Sequence, residues 1–179
     1  MIDIFLAEGF EEIEALCPLD IMRRAGLEVR TVGVGGKLIR GAHGITVEAD
    51  ITDSEYVYSS PEMVFLPGGM PGTLNLAASE VVTDAVKRAH ADQKYIAAIC
   101  AAPSILGEMG LLQGKEAICY PGFEDKLTGA TISKSRVVRD GNTVTAAGMG
   151  VALELGLEIV AMLCGKQKAE ELRHAVIAD

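Results

Sequence analysis

Cys100 stands at the end of an apolar run in "YIAAICAAPSILG", with Ala98 and Ala102 two residues away on either side. A small-x-nucleophile-x-small pattern is what a tight strand-to-helix turn needs to hold a reactive side chain clear of the backbone. Pro103 suits the first turn of a helix, where its missing N–H costs nothing. A thiol so placed faces unpaired amides at the positive end of the helix, a setting that favours the thiolate. The alternative is a cysteine packed as a small hydrophobe, the common state of a free cysteine.

"FLPGGMPG" (65–72) places Gly68 and Gly69 directly after a second apolar run. Glycine lets a backbone approach a ligand closely, and paired amides can hold an oxyanion. No Gly-Lys-Ser/Thr follows, so this is not a phosphate loop, and a flexible turn would use the same residues. In "EGFEEIEALCPLD", Glu11, Glu12 and Glu14 fit the first turn of a helix as surface acids, where the dipole favours them. Pro18 lies four residues after Glu14 and cannot donate the helical bond to its carbonyl, so the helix is distorted there. Spacing sets Glu14 about one turn from Glu11 and on a different face from Glu12 and Ile13. Glu14 is therefore the acid able to turn into a site, with a solvated acid as the alternative. "GMGVAL" (148–153) begins like a dinucleotide fingerprint, but Leu153 occupies the third glycine position and no βαβ unit follows. It reads as a helix start.

Cys17, Cys100, Cys119 and Cys164 form no C-x-x-C pair, and His43, His90 and His174 show no ligand spacing to one another or to the cysteines. Neither a disulfide framework nor a metal site is expected. Cys17 and Cys164 read as packing residues and Cys119 as a thiol nearer the site; His90 and His174 fall on polar helices without a role. The net charge of −9 over 179 residues argues against sequence-independent nucleic-acid binding. The N-terminus lacks the basic start and long apolar stretch of a signal peptide. The most apolar segment, "MGVALELGLEIVAMLCG", carries Glu154 and Glu158 four apart, which favours a packed helix over a membrane span. A soluble cytoplasmic protein is expected, with no membrane or nucleic-acid partner.

These residues need a scaffold, and the pattern supplies one. Strands are expected at 2–7, from Glu28 into "VGVGG", at 63–66 and at 95–100. Helices are expected from Glu11 to Gly26, near 79–91, from Cys100 to about Gly110, and from about Gly150 to Cys164, with a short charged helix after it. "VVRDGNTVTAAG" reads as a hairpin whose Asp140–Gly141 suits a type I′ turn. Nearly continuous apolar strands alternating with helices imply an α/β fold, a mostly parallel sheet covered on both faces in three layers. One domain spans 1–179. Ligands of such sheets bind beyond the carboxyl ends of the strands. The acidic run after "IDIFLA", the glycines after "MVFL" and Cys100 after "YIAAI" all fall there.

As a set, "LAEGFEEIEALCPLDIMRRAG", "LPGGMPG", "AAICAAP" and "AGMGVALELGLEIV" resemble the ThiJ/PfpI family, on the branch that contains the parkinsonism-associated deglycase. The resemblance covers nearly the whole chain. It implies a flavodoxin-like sandwich that forms homodimers, with Cys100 as the reactive thiol, Glu14 beside it, and backbone N–H groups from Gly69 and Ala101. A carboxylate would repel a thiolate, so Glu14 should be protonated and donate a hydrogen bond to the sulfur. A sulfinate formed on that sulfur could accept the same bond.

The chain departs from the family at one place. Where several members carry a histidine near the cysteine, "ICYPGFEDK" has Tyr120; where protease-like members carry one directly after it, this chain has Ala101. Peptidase activity is therefore disfavoured. A phenol with a pKa of about 10 is a poor base at neutral pH. His43, in "GAHGITVEAD", falls in a segment that lies near the family's dimer interface, where it could approach the partner subunit's Cys100 or serve as an exposed structural residue.

Two functions follow as expectations. In one, Cys100 attacks a small aldehyde or dicarbonyl such as methylglyoxal, Gly69 and Ala101 hold the oxygen, and Glu14 moves the proton in forming a hydroxy acid. This is a glyoxalase or deglycase type of reaction, in defence against carbonyl and oxidative stress, with no metal or organic cofactor. In the other, the protein is a non-catalytic redox-responsive protein or chaperone, and oxidation of Cys100 is the signal.

Overall fold

Along the first strand, Ile2, Ile4 and Leu6 enter one apolar cluster and Phe5 the other, all without access to solvent. A strand buried on both faces must run through the middle of a sandwich. The computed structural model describes residues 1–178 and has that architecture. In chain order the elements are β1 (Ile2–Leu6), α1 (Glu12–Arg24), β2 (Val29–Gly33), β3 (Leu38–Arg40), β4 (Thr46–Glu48) and β5 (Ile51–Thr52). There follow β6 (Met63–Leu66), α2 (Gly72–Ala78), α3 (Glu80–Ala91), β7 (Tyr95–Ile99), α4 (Pro103–Glu108), β8 (Glu116–Ala117) and β9 (Thr131–Ile132). The chain closes with β10 (Val137–Asp140), β11 (Thr143–Ala146), α5 (Ala152–Cys164) and α6 (Lys166–Ala175).

The main sheet runs β10-β11-β7-β6-β1-β2-β5. Its neighbours are parallel except for the antiparallel β10–β11 hairpin. Helices α1, α5 and α6 cover one face, while α3, α4 and the end of α2 cover the other. This is the expected flavodoxin-like α/β fold. Pro18 sits inside α1 where α5 crosses it, and a Cβ on Gly156 would lie 3.1 Å from the Pro18 Cα. The small residue on α5 thus lets α1 pack closely at Pro18.

Several elements differ from the sequence reading. Asp140 pairs with Thr143 inside the ladder, leaving Gly141–Asn142 as the two-residue loop. Gly141 takes φ +59° at the first central position, as a type II′ turn requires, instead of the expected type I′ turn over Asp140–Gly141. Asp140 is kept in the strand because its carboxylate accepts the Glu116 amide at 2.8 Å. Helix α2 is separate from α3 because Ser79 breaks the two and caps the second, accepting from the Val82 amide. The small β3–β4 and β8–β9 ladders are too short to read from a pattern. Cys164, expected to pack, is exposed, and Cys17 is half-buried. Among the described residues no helix is long and apolar enough to cross a membrane.

Candidate functional site

Cys100 occupies a turn between the end of β7 and α4 with φ +65°, a left-handed conformation that costs a residue bearing a Cβ. The turn is held from several directions. The Cys100 amide donates to the Ala146 carbonyl at 2.9 Å, its own carbonyl accepts from the Tyr120 amide at 2.8 Å, and the Ala102 amide donates to Ile99 at 3.0 Å. Pro103 is the first residue of α4, as expected, and the Ser104 hydroxyl donates to the Ala101 carbonyl at 2.7 Å. The small-x-Cys-x-small pattern is thus a strand-to-helix elbow, and the amides of Gly69 and Ala101 reach the sulfur.

Glu14 arrives from the first turn of α1, 1% exposed. Its Oε2 accepts the Gly68 amide at 3.0 Å, its side chain is hydrogen-bonded to Cys100, and the Met149 amide is a further donor to it. The two glycines after β6 therefore divide their work: the Gly68 amide serves the carboxyl, and that of Gly69 serves the thiol. Each also has to be small. A Cβ on Gly68 would stand 2.6 Å from Glu14 Oε2 and 2.7 Å from the Cys100 Cβ. Gly69, at φ +91°, presses on the backbone of Gly9, Phe10 and Glu11, and the Gly68 carbonyl accepts the Glu11 amide at 2.9 Å.

The pair titrates as a unit. Burial pushes the Glu14 carboxyl up to about 7 against the amides and thiol that stabilise its anion, and the charge of Glu11 adds to the rise. Burial, and then the charge of Glu14, push the Cys100 thiol up to about 12 against the amides of Ala101 and Gly69. These values belong to the pair, which holds a single proton between its first and second ionisations. The expectation that the helix end lowers the thiol pKa is thus corrected. With α4 only six residues long, burial outweighs the donors.

Tyr120 is 51% exposed and lies along the rim of the pair. Its ring carbons Cδ2 and Cε2 are 3.3 and 3.8 Å from where a Cβ on Gly148 would sit, and Glu14 Oε1 is 3.9 Å from the same point. Gly148 and Met149 thus border the site, a role not read from the sequence, where "GMG" signals only a helix start. Cys119 is buried in the cluster on the α3–α4 face, and burial, with the charge of Glu124, pushes its thiol up to about 11.

Glu11 and Glu12 are not the surface acids expected. Glu12 is 2% exposed and accepts the amides of His43 at 2.8 Å and Ile45 at 3.3 Å, pinning the β3–β4 loop. The His43 ring, 70% exposed, lies 3.0 Å from Glu12 and 3.2 Å from Glu11. The two carboxylates hold its pKa above the ordinary imidazole value, Glu12 through a hydrogen bond first and Glu11 by charge. The three side chains are grouped as metal ligands can be, an arrangement invisible in a sequence that sets His43 more than thirty positions from the two acids. Glu12 already has its donors, so the group explains itself as a loop anchor. A concavity of about 770 Å³ between β10, α5 and α6 lies away from Cys100.

The sequence profile of the DJ-1/PfpI family matches residues 1–162. Protein DJ-1 homolog B of Arabidopsis thaliana is 39% identical over 175 residues, covering 96% of this chain and 40% of the relative. The chain thus spans less than half the length of that plant relative. The Parkinson disease protein 7 homolog of Danio rerio is 34% identical over 179 residues, covering 97% of this chain and 95% of the relative. A Caenorhabditis elegans protein named glutathione-independent glyoxalase DJR-1.2 is 30% identical over 167 residues, covering 92% and 89%. The solved structure of oxidized Toxoplasma gondii DJ-1 superimposes with a TM-score of 0.95 at 33% identity, covering 98% of this chain and 97% of the other.

Proposed function

The chain belongs to the DJ-1/PfpI (ThiJ/PfpI) family, and on that premise we propose that it is a cofactor-independent cytoplasmic enzyme of the glyoxalase or deglycase type. The observation that carries the proposal is the hydrogen-bonded Glu14–Cys100 pair with the amides of Gly69 and Ala101 on its sulfur. The similar nematode protein named as a glutathione-independent glyoxalase supports the same reading. The pair keeps one proton above about pH 7, and its reactive form is the one with that proton on Glu14, in which the sulfur is a thiolate held by three donors.

The thiolate adds to the aldehyde carbon of a 2-oxoaldehyde, and Glu14 passes its proton to the new alkoxide, giving a hemithioacetal. The Glu14 carboxylate then removes the hydrogen from the former aldehyde carbon. The resulting enediol takes a proton at the neighbouring carbon, which is reduced as the first is oxidised, and a thioester of a 2-hydroxy acid remains on Cys100. Water cleaves the thioester and returns the thiol. No electrons enter or leave, and water is the only co-reactant. The amides of Gly69 and Ala101 are positioned to stabilise the oxygen anions formed on the carbon bonded to sulfur.

Incubation with methylglyoxal should release lactate, with Cys100→Ala at background. Lactate formation by wild type no faster than by Cys100→Ala rejects the enzyme reading. The same reading has the chain act as a homodimer, and Ile13 on α1 and Leu38 and Ile45 around the β3–β4 hairpin are exposed apolar side chains such an interface would cover. A second function, redox response through Cys100, draws on the same pair. A protonated Glu14 suits a sulfinate oxygen as well as a thiolate, and the similar Toxoplasma structure is of an oxidized protein.

A further inference from the structure

Two loops touch the Glu14–Cys100 pair from the side of Gly148, and each leaves a large apolar side chain in solvent. The Tyr120 backbone is fixed, its amide on the Cys100 carbonyl at 2.8 Å and its carbonyl accepting the Phe123 amide at 3.1 Å, yet its side chain is 51% exposed. Met149 has an amide committed to Glu14 and a side chain 52% exposed. The Tyr120 ring lies against Gly148, whose missing side chain leaves the strip between ring and carboxyl open. A single exposed hydrophobe is ordinary, but two flanking one glycine beside a reactive pair make an apolar wall. The groups acting most on the sulfur are the Glu14 carboxyl and the amides of Ala101 and Gly69. Arg136, which reaches Gly150, is held by that residue's carbonyl at 3.0 Å and by Glu154 at 3.4 Å.

Resting on the glyoxalase reading, we propose that Tyr120 and Met149 are specificity residues, and that the site selects 2-oxoaldehydes with an aromatic substituent over small ones. Phenylglyoxal, which the same balanced steps convert to mandelate, is the representative substrate. The substituent lies on the Tyr120 ring and Met149 thioether, while the aldehyde carbon meets Cys100. The ring does this work, and the phenol is dispensable.

The test compares kcat/KM for phenylglyoxal and methylglyoxal in wild type, Tyr120→Phe and Tyr120→Ala. The phenylglyoxal-to-methylglyoxal ratio should favour the aromatic aldehyde in wild type, persist in Tyr120→Phe and fall about tenfold in Tyr120→Ala. A ratio that Tyr120→Ala leaves in place, or that Tyr120→Phe lowers equally, overturns the proposal. A second measurement needs no turnover: the rate of Cys100 alkylation by N-benzyliodoacetamide relative to iodoacetamide. Tyr120→Ala should lower that ratio too, and an unmoved ratio overturns the wall whatever the enzyme does. Wild type inactive on both aldehydes, with the alkylation ratio shifted as expected, rejects the glyoxalase reading and keeps the apolar wall.

Discussion

Glu14 and Cys100 meet across a space that is open only because residue 68 has no side chain. A Cβ there would lie 2.6 Å from Glu14 Oε2, 2.7 Å from the Cys100 Cβ and 2.9 Å from the Ile99 carbonyl. Backbone and buried carboxyl cannot both give way, so Gly68→Ala must part the pair or strain the elbow. The variant should lose about 1–3 kcal/mol in urea denaturation, the usual cost of overpacking. Its Cys100 should also lose its reactivity toward iodoacetamide at neutral pH. A variant as stable and as reactive as wild type would show that the two side chains do not depend on this gap.

The location of the pair's one proton can be read from alkylation against pH. The carboxyl is raised to about 7 and the thiol to about 12, so the pair goes from two protons to one near neutrality. If Glu14 keeps the remaining proton, the reactive thiolate appears in that first step. The iodoacetamide rate at Cys100 should therefore rise through about pH 7 and then level off, and Glu14→Gln should abolish that step. A rate that climbs only in strongly alkaline solution would put the proton on sulfur and remove the nucleophile from the proposed mechanism.

Glu14 also makes stability depend on pH, with a sign opposite to the usual carboxylate. The first proton of the pair, lost at 4.5 from the carboxyl of the unfolded chain, is held to about 7 on folding whichever of the two groups then releases it, chiefly through burial. The folded state thus binds that proton more tightly than the unfolded chain. The burden on folding is absent below the unfolded value of 4.5, grows as pH rises to about 7, and is constant above. At full ionisation it amounts to about 3 kcal/mol at most. Glutamine cannot ionise and can still accept the Gly68 amide. Glu14→Gln should therefore gain stability relative to wild type between about pH 4 and about pH 8. A constant difference across that window would mean that the carboxyl is not perturbed by folding.

What the sequence reveals of this site depends on whether each signal is local. The Cys100 elbow is legible because its small flanking residues and Pro103 lie within a few positions of the residue that takes φ +65°. Glu14 is half-legible, through its spacing and Pro18. Glu12 reads wrongly as a surface acid because its partners lie 31 and 33 residues away, on a hairpin whose three-residue strands are too short to announce it. Met149 escapes notice because it contributes through its amide, which every residue but proline has. The β10–β11 turn sits one residue later than its pattern suggests because Asp140 answers to a tertiary partner, the Glu116 amide, and leaves the turn to Gly141–Asn142. The layered core, by contrast, rests on β1 and β6 being buried along their whole length, alternate side chains entering the two clusters, which a sequence displays as nearly continuous apolar runs.

Limited peroxide sets two rankings of the four cysteines against each other. By accessibility alone Cys164 should oxidise first, being exposed, while Cys100 and Cys17 are half-buried and Cys119 is buried. By chemistry Cys100 should lead, because peroxide reacts with thiolate and the Cys100 thiol is hydrogen-bonded to a carboxyl able to hold its proton. The thiols of Cys17 and Cys119 are pushed up by burial and nearby acids, as that of Cys100 is, but the acids beside them act through charge without a hydrogen bond that could take the proton, so both should lag. Peptide mass spectrometry on wild type should find two added oxygens on Cys100 before Cys164 is modified. The sulfinate then accepts the hydrogen bond that Glu14 gave the thiolate, which should slow further oxidation. Glu14→Gln should move Cys100 behind Cys164, since an amide side chain cannot take the thiol proton. Cys164 leading in wild type would mean that exposure governs oxidation in this protein, and the redox reading of Cys100 would fall.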